Sequence, residues 1–155
     1  MSKKYKISYL SNKFYSDYPF TKFPEFEEKN SRPYVVFLIT VQNHNFAIPL
    51  RTNMNHKYGY RFKNSERESR NGTGLDFTKA VLVDNSEYIG NNALIDRNEY
   101  LEINRKYFFI RKKFEKYVID YKKYNTGQLN KFKTKAFRYS TLKYYNKELC
   151  ENNNK

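Results

Sequence analysis

The chain of 155 residues has one cysteine, no tryptophan, two histidines, four prolines and five glycines. Cys150 alone excludes an internal disulfide and any cysteine-based zinc site. No apolar run approaches the roughly 20 residues that span a bilayer. The opening Met1-Ser2-Lys3-Lys4-Tyr5-Lys6 lacks the apolar core of a secretory signal, so a cytoplasmic chain with no membrane partner is expected. There is no glycine-rich phosphate loop ending in Gly-Lys-Thr, no dinucleotide glycine pattern and no His-Glu-x-x-His pair. No carboxylate cluster is dense enough for two magnesium ions. Neither a metal nor another cofactor is expected.

Acidic residues are also scarce, 16 against 30 Lys+Arg, for a formal net charge of +14. The excess is uneven. Residues 1–100 carry 15 basic and 11 acidic side chains (+4), and residues 101–155 carry 15 and 5 (+10). Aromatic residues make up 19% of the chain, 16 Tyr and 13 Phe. Cations interleaved with aromatic rings suit RNA or single strands, through phosphate pairing and base stacking. The same composition also arises from AT-rich coding, which inflates Lys, Asn, Tyr, Ile and Phe together.

The length suits one domain, residues 1–155, and no internal repeat or long linker divides it. The apolar run from Val35 to Leu50, interrupted by Gln42-Asn43-His44-Asn45, predicts a hairpin turning at those four residues. Pro49 is expected to stop regular pairing or to sit on an edge. Lys4–Leu10 predicts a first strand and Ser11 a helix N-cap. Tyr58–Phe62 alternates as a strand, and Leu75–Val83 reads as another with the polar Asp76, Thr78 and Lys79 inside it. From Asp96 the period changes. Ile103, Tyr107, Ile110, Phe114, Tyr117, Tyr121 and Tyr124 step by three or four, one apolar stripe of a long helix closed by Gly127. A second helix is expected from about Thr134 to Leu149. The fold class is α+β: a strongly bent antiparallel sheet, forming a partly open barrel, with C-terminal helices packed on it.

Arg51, Thr52, Asn53, His56 and Lys57 leave the hairpin together, a common way to build a site on a rigid strand. If the basic surface holds RNA and cuts it without metal, the chemistry needs three groups. A base takes the 2′-hydroxyl proton, donors hold the phosphorane oxygens, and an acid protonates the leaving 5′-oxygen. Arg51 suits the phosphate, Thr52 and Asn53 add neutral hydrogen bonds, and His56 serves as base or acid. Lys57 or Lys79 stabilises charge or acts as acid. Asn53, Lys57 and Tyr58 are candidate RNA contacts beside the cut, and Arg105, Lys112, Lys116 and Lys123 are candidates along the helix. Plainer readings exist for each. Arg51 is then a surface arginine, His56 a structural histidine, and Lys79 with Asp76 a simple ion pair. A non-catalytic basic RNA-binding module uses the same residues.

The run His44-Asn45-Phe46-Ala47-Ile48-Pro49-Leu50-Arg51-Thr52-Asn53, followed by Gly74-Leu75-Asp76-Phe77-Thr78-Lys79-Ala80-Val81-Leu82-Val83, resembles the endoribonuclease toxins of type III toxin–antitoxin systems (ToxN, AbiQ, CptN, TenpN). The likeness covers residues 34–83 and is only architectural beyond them. The Arg-Thr pair after Pro-Leu looks closer to the TenpN and CptN branches than to ToxN, where Thr-Ser stands. The resemblance implies a MazF-like fold and a metal-independent cut in single-stranded RNA. The substrates would be cellular or phage mRNA in a bacterial cytoplasm. It also implies a pseudoknot antitoxin RNA that the toxin trims from tandem repeats and assembles with as a hetero-oligomer, commonly in phage defence. Thr52 takes the family's hydroxyl position and Lys79 matches its lysine. Arg51 departs from ToxN, and His56 has no counterpart there.

Overall fold

The computed structural model describes residues 6–26, 34–52, 54–65, 72–127 and 135–150. It is an α+β fold with a seven-stranded antiparallel sheet. The strands are β1 (Lys6–Leu10), β2 (Val35–Val41), β3 (His44–Arg51), β4 (Gly59–Arg61), β5 (Gly74–Asp76), β6 (Val81–Leu82) and β7 (Ile89–Asn92). The helices are α1 (Asn12–Asp17), α2 (Arg97–Asn125) and α3 (Asn146–Cys150). The sheet runs β4-β5-β3-β2-β1-β7, with β6 also paired to β3. β4 and β7 lie at opposite ends of this order, so the sheet is not closed into a barrel.

The central hairpin forms as expected but turns more tightly. Gln42 and Asn43 alone make the turn, with φ of 52° and 63°, and Val41 faces His44 across it. Two successive left-handed residues match the twist of the flanking strands, so His44 and Asn45 belong to β3.

Pro49 corrects the expectation of an edge or a stop, because it lies inside a strand flanked on both sides. Its partner on β2 is Val36. In a two-residue hairpin the closing pair is hydrogen-bonded and the bonding alternates from there, which turns residue 49 away from β2. On its far side β3 pairs with β6 at Phe46 and Ala47, and with β5 at Leu50 and Arg51. Pro49 sits between those two short strands, where no ladder donor is required.

Leu75–Val83 is likewise not one strand. A 3-10 turn, Phe77–Lys79, separates β5 from β6. Asp76 causes the break. Its side chain accepts from the Thr78 N–H and caps the turn, a local bond that competes with the ladder. Lys79 therefore ends a turn and does not sit on a strand.

α2 forms over 29 residues. Asp96 caps it by accepting from the Glu99 N–H, and Gly127 follows the last turn at φ 75°. Its apolar stripe covers the sheet, with Phe114 against Phe46 and Phe77 (5.1 Å each) and Tyr107 against Phe37 (6.4 Å). Glu102, fully buried on α2, accepts from the Tyr60 hydroxyl and from the Lys63 and Asn64 N–H groups. That anchors the end of β4 to the helix.

The expected second helix over 134–149 is broken. Residues 135–137 and Thr141–Tyr145 are 3-10 turns, and only α3 is α-helical. Tertiary hydrogen bonds override the helical pattern. The Thr141 hydroxyl donates to the Ala80 and Thr78 carbonyls, and the Tyr117 hydroxyl bonds the Ser140 hydroxyl at 2.9 Å.

β4 and β5 approach so closely that a Cβ on Gly59 would stand 2.1 Å from the Leu75 carbonyl oxygen. Gly59→Ala is expected to destabilise the fold by about 1–3 kcal/mol. Thermal unfolding followed by circular dichroism measures this, as a fall of roughly 5 °C for a chain of this size. An unchanged midpoint would contradict the observed pairing.

Candidate active site and nucleic-acid groove

Three segments meet at Asp76. β3 ends in Arg51, β5 ends in Asp76, and the bend after β3 carries His56. The Asp76 side chain is 1% exposed, and a carboxylate so buried needs partners. Its Oδ2 accepts from Arg51 Nη1 at 3.1 Å. Its Oδ1 faces His56 Nε2 at 3.2 Å and accepts from the Thr78 N–H at 3.0 Å and the Thr78 hydroxyl at 2.6 Å. Both oxygens are engaged.

His56 has a polar neighbour at each ring nitrogen. The Tyr58 N–H donates to Nδ1 at 3.0 Å. That assigns the ring proton to Nε2, which lies 3.2 Å from Asp76 Oδ1. The Tyr58 ring stacks on the imidazole at 5.6 Å, and Arg61 Nη2 donates to the His56 carbonyl at 3.2 Å.

Lys79, at the end of the 3-10 turn, is half-buried, and that burial pushes its amine below the usual lysine range. Asp76 opposes the shift and Arg51 supports it, as Lys143 does, while Glu25 opposes it more weakly than Arg51 supports it. The turn is held from behind by Thr141. Lys143 and Tyr144, beside Thr141 in chain order, meet Glu25 across the fold, Lys143 at 3.9 Å and Tyr144 by a hydrogen bond from its hydroxyl.

Two adjoining depressions run beside this cluster along α2. One, of about 310 Å³, is lined by Tyr58, Phe77, Tyr117 and Phe137 with Lys57, Lys113 and Lys116. The other, of about 510 Å³, is lined by Tyr60 and Phe109 with Arg61, Lys63, Lys106 and Lys113. Lys57, Gly59 and Lys113 belong to both. Lys113 spans the boundary, its Nζ donating to the Gly59 carbonyl at 2.7 Å, and burial lowers its pKa as well. The result is one groove of cations and rings.

Of the residues singled out by the sequence, Arg51 and His56 come together on Asp76, and Lys79 lies within its electrostatic reach. Thr52 follows Arg51 at the bend and is half-buried. Asn53 lies outside the described residues. Lys57, Tyr58 and Lys116 line the groove, although Lys116 also pairs with Asp120 at 2.6 Å. Arg105, Lys112 and Lys123 are exposed and line neither depression. The helical cations that do line it are Lys106, Lys113 and Lys116. A shift of one residue rotates a side chain by about 100°, so Lys106 and Lys113 face the groove where Arg105 and Lys112 do not. Tyr60, Lys63 and Phe109 were also missed. The available signal was the helical strip 106, 109, 113, 116 and 120 bordering the apolar stripe. His44, the other histidine, is committed to Asp84 at 2.7 Å, at the opposite end of β3 from Arg51.

No family model, curated protein or solved structure matches the chain.

Proposed function

We propose that the chain is a metal-independent endoribonuclease that cuts single-stranded RNA by 2′-hydroxyl attack. The observation that carries this reading is the meeting of Arg51 and His56 on one buried carboxylate, with Lys79 in its field and Tyr58 between His56 and a groove of lysines and aromatic rings. Asp76, 3.2 Å from His56 Nε2, is placed to orient the ring once RNA binds, as carboxylates orient catalytic histidines elsewhere. That leaves Nδ1 as the base. In this state Nδ1 is capped by the Tyr58 N–H, so the ribose hydroxyl has to displace that donor to transfer its proton. Arg51, with Thr52 beside it, holds the phosphorane oxygens. Lys79, already below its usual range, gives a proton to the leaving 5′-oxygen. The 2′-oxygen bonds to phosphorus as the 5′-oxygen departs, leaving a 2′,3′-cyclic phosphate and a 5′-hydroxyl.

The proposed biological setting is that of a type III toxin. The open sheet is read as a MazF/ToxN-like scaffold. The groove would hold a pseudoknot antitoxin RNA, trimmed from its repeats by the same site, in a bacterial cytoplasm.

The capped Nδ1 favours a second reading, a non-catalytic RNA-binding module in which His56 only braces the loop. One experiment separates the two. Single-stranded RNA is incubated with the protein in excess EDTA, beside His56→Ala, Lys79→Ala and Arg51→Ala. Wild type is expected to cleave and to leave cyclic phosphate ends, with each variant slowed by about 10²–10⁴. Binding without cleavage favours the module. Cleavage at the wild-type rate by all three variants removes the site.

A further inference from the structure

Resting on the reading that RNA occupies the groove, we infer that the smaller depression receives one unstacked nucleobase of the bound strand, next to the scissile phosphate. Its walls are rings. Phe77 and Phe137 contact Tyr117 at 5.7 and 5.0 Å, and the three are 2%, 4% and 8% exposed, so they form a rigid wall belonging to the core. Tyr58 is the partly exposed ring among them, and one of its faces lies against His56. An occupant touching Tyr58 is therefore one ring away from the imidazole.

The rim selects the occupant. Lys57, Lys113 and Lys116 surround an apolar, ring-lined interior. A planar aromatic group tethered to phosphates meets both requirements at once, since its face stacks inside while its backbone stays with the ammonium groups. An aliphatic or acidic peptide would leave either the rings or the lysines without a complement. Asp120, paired with Lys116, adds an acceptor and a donor at the edge for the polar rim of a base.

The strip from Lys106 to Asp120 is about 21 Å long at 1.5 Å per residue. At about 3.4 Å per stacked nucleotide it accommodates about six. The test uses a single strand of that length with every ribose 2′-O-methylated, which removes the attacking hydroxyl and separates binding from cleavage. A single abasic residue is moved along it and affinity is measured at each position. One position is expected to lose about tenfold to a hundredfold, the range of stacking on aromatic side chains, with the others changing far less.

Ala136 also lines the depression and is half-buried. Ala136→Phe fills the space and leaves the lysines in place, so intact RNA should bind it no better than the abasic strand binds wild type. Tyr58→Ala should flatten the scan in the same way, which covers the case where Ala136→Phe fails to fold. Tyr58→Phe should preserve it. A flat scan in wild type, or a sensitive position that survives both variants, overturns the inference. A sensitive position in a protein that never cuts unmodified RNA removes the nuclease reading and leaves the base subsite. No binding to the strand removes both.

Discussion

Asp76→Ala is expected to lower the unfolding free energy by about 3–5 kcal/mol, the usual penalty for deleting one partner of a buried ion pair. For a chain of this size that corresponds to a fall of roughly 10 °C in the unfolding midpoint. The carboxylate is 1% exposed, accepts from Arg51 and Thr78, and lies 3.2 Å from His56 Nε2. Its removal leaves the Arg51 guanidinium without its anion and the Thr78 donors without their acceptor. Three chain segments lose their common anchor at once. Asp76→Asn keeps the volume and isolates the charge. Its amide must turn an NH₂ towards the donors that now surround both oxygens, so it should also destabilise the fold. Any RNA cleavage should fall on the order of 10⁴-fold in Asp76→Asn, as when a carboxylate orienting a catalytic histidine becomes an amide. Urea unfolding at neutral pH with parallel cleavage assays measures both effects. A variant within about 1 kcal/mol of wild type would show that the cluster holds nothing together.

The second large effect appears in alkali. Tyr117, Tyr121 and Tyr145 are 8%, 2% and 2% exposed. Burial pushes all three phenols up, Tyr121 to about 12. An unfolded tyrosine titrates near 10. Above that pH the unfolded chain releases protons that the folded chain retains, so the folded state binds more and stability falls as pH rises. Each such group contributes at most about 1.4 kcal/mol per pH unit, so three together contribute at most about 4 kcal/mol per unit above pH 10. Tyr88 and Tyr144, also shifted up, are partly exposed and stay outside the sum. Lys79 and Lys113 act with the opposite sign. Their folded amines are depressed, so they favour folding as pH rises towards 10.5, but they are two groups against the buried tyrosines, which also include Tyr60 and Tyr107. Against a typical stability of about 5–15 kcal/mol, cooperative unfolding is expected before pH 12. Denaturant titrations at pH 9, 10 and 11, with tyrosinate absorbance as a second probe, measure the slope. Equal stability at pH 9 and 11 would mean that these rings are not shielded in solution.

Both predictions concern groups whose importance is non-local. Residue spacing marked Asp76 as a polar residue entering an apolar segment and offered only Lys79 as its partner. Its partners lie 25 and 20 positions upstream in Arg51 and His56, and two downstream in Thr78, and nothing in a local pattern says that they converge. The same limit applies to 134–149. The spacing there is helical, but Ser140 and Thr141 bond to Tyr117 and Ala80, and those tertiary bonds break the helix. Pro49 shows the limit from the other side. A proline is tolerated in an inner strand because β5 and β6 leave a gap opposite it, and that gap is produced by the Asp76-capped turn.

What the sequence determined by itself was local and periodic. The hairpin from Val35 to Arg51, the Ser11 cap, the left-handed glycine after α2 and the apolar face of that helix all follow from residue type and spacing. So does the choice of Arg51, His56 and Lys79 as side chains with chemistry to offer. Only the tertiary structure decided that Arg51 and His56 meet one buried carboxylate with Lys79 in its field, that the Tyr58 N–H occupies His56 Nδ1, and that Lys106 and Lys113 border the groove in place of Arg105 and Lys112. The physical reason is range. Propensity and periodicity act within a few residues, whereas the burial of a charge and the rotation of a helix on a sheet are settled by whatever the rest of the chain brings against them.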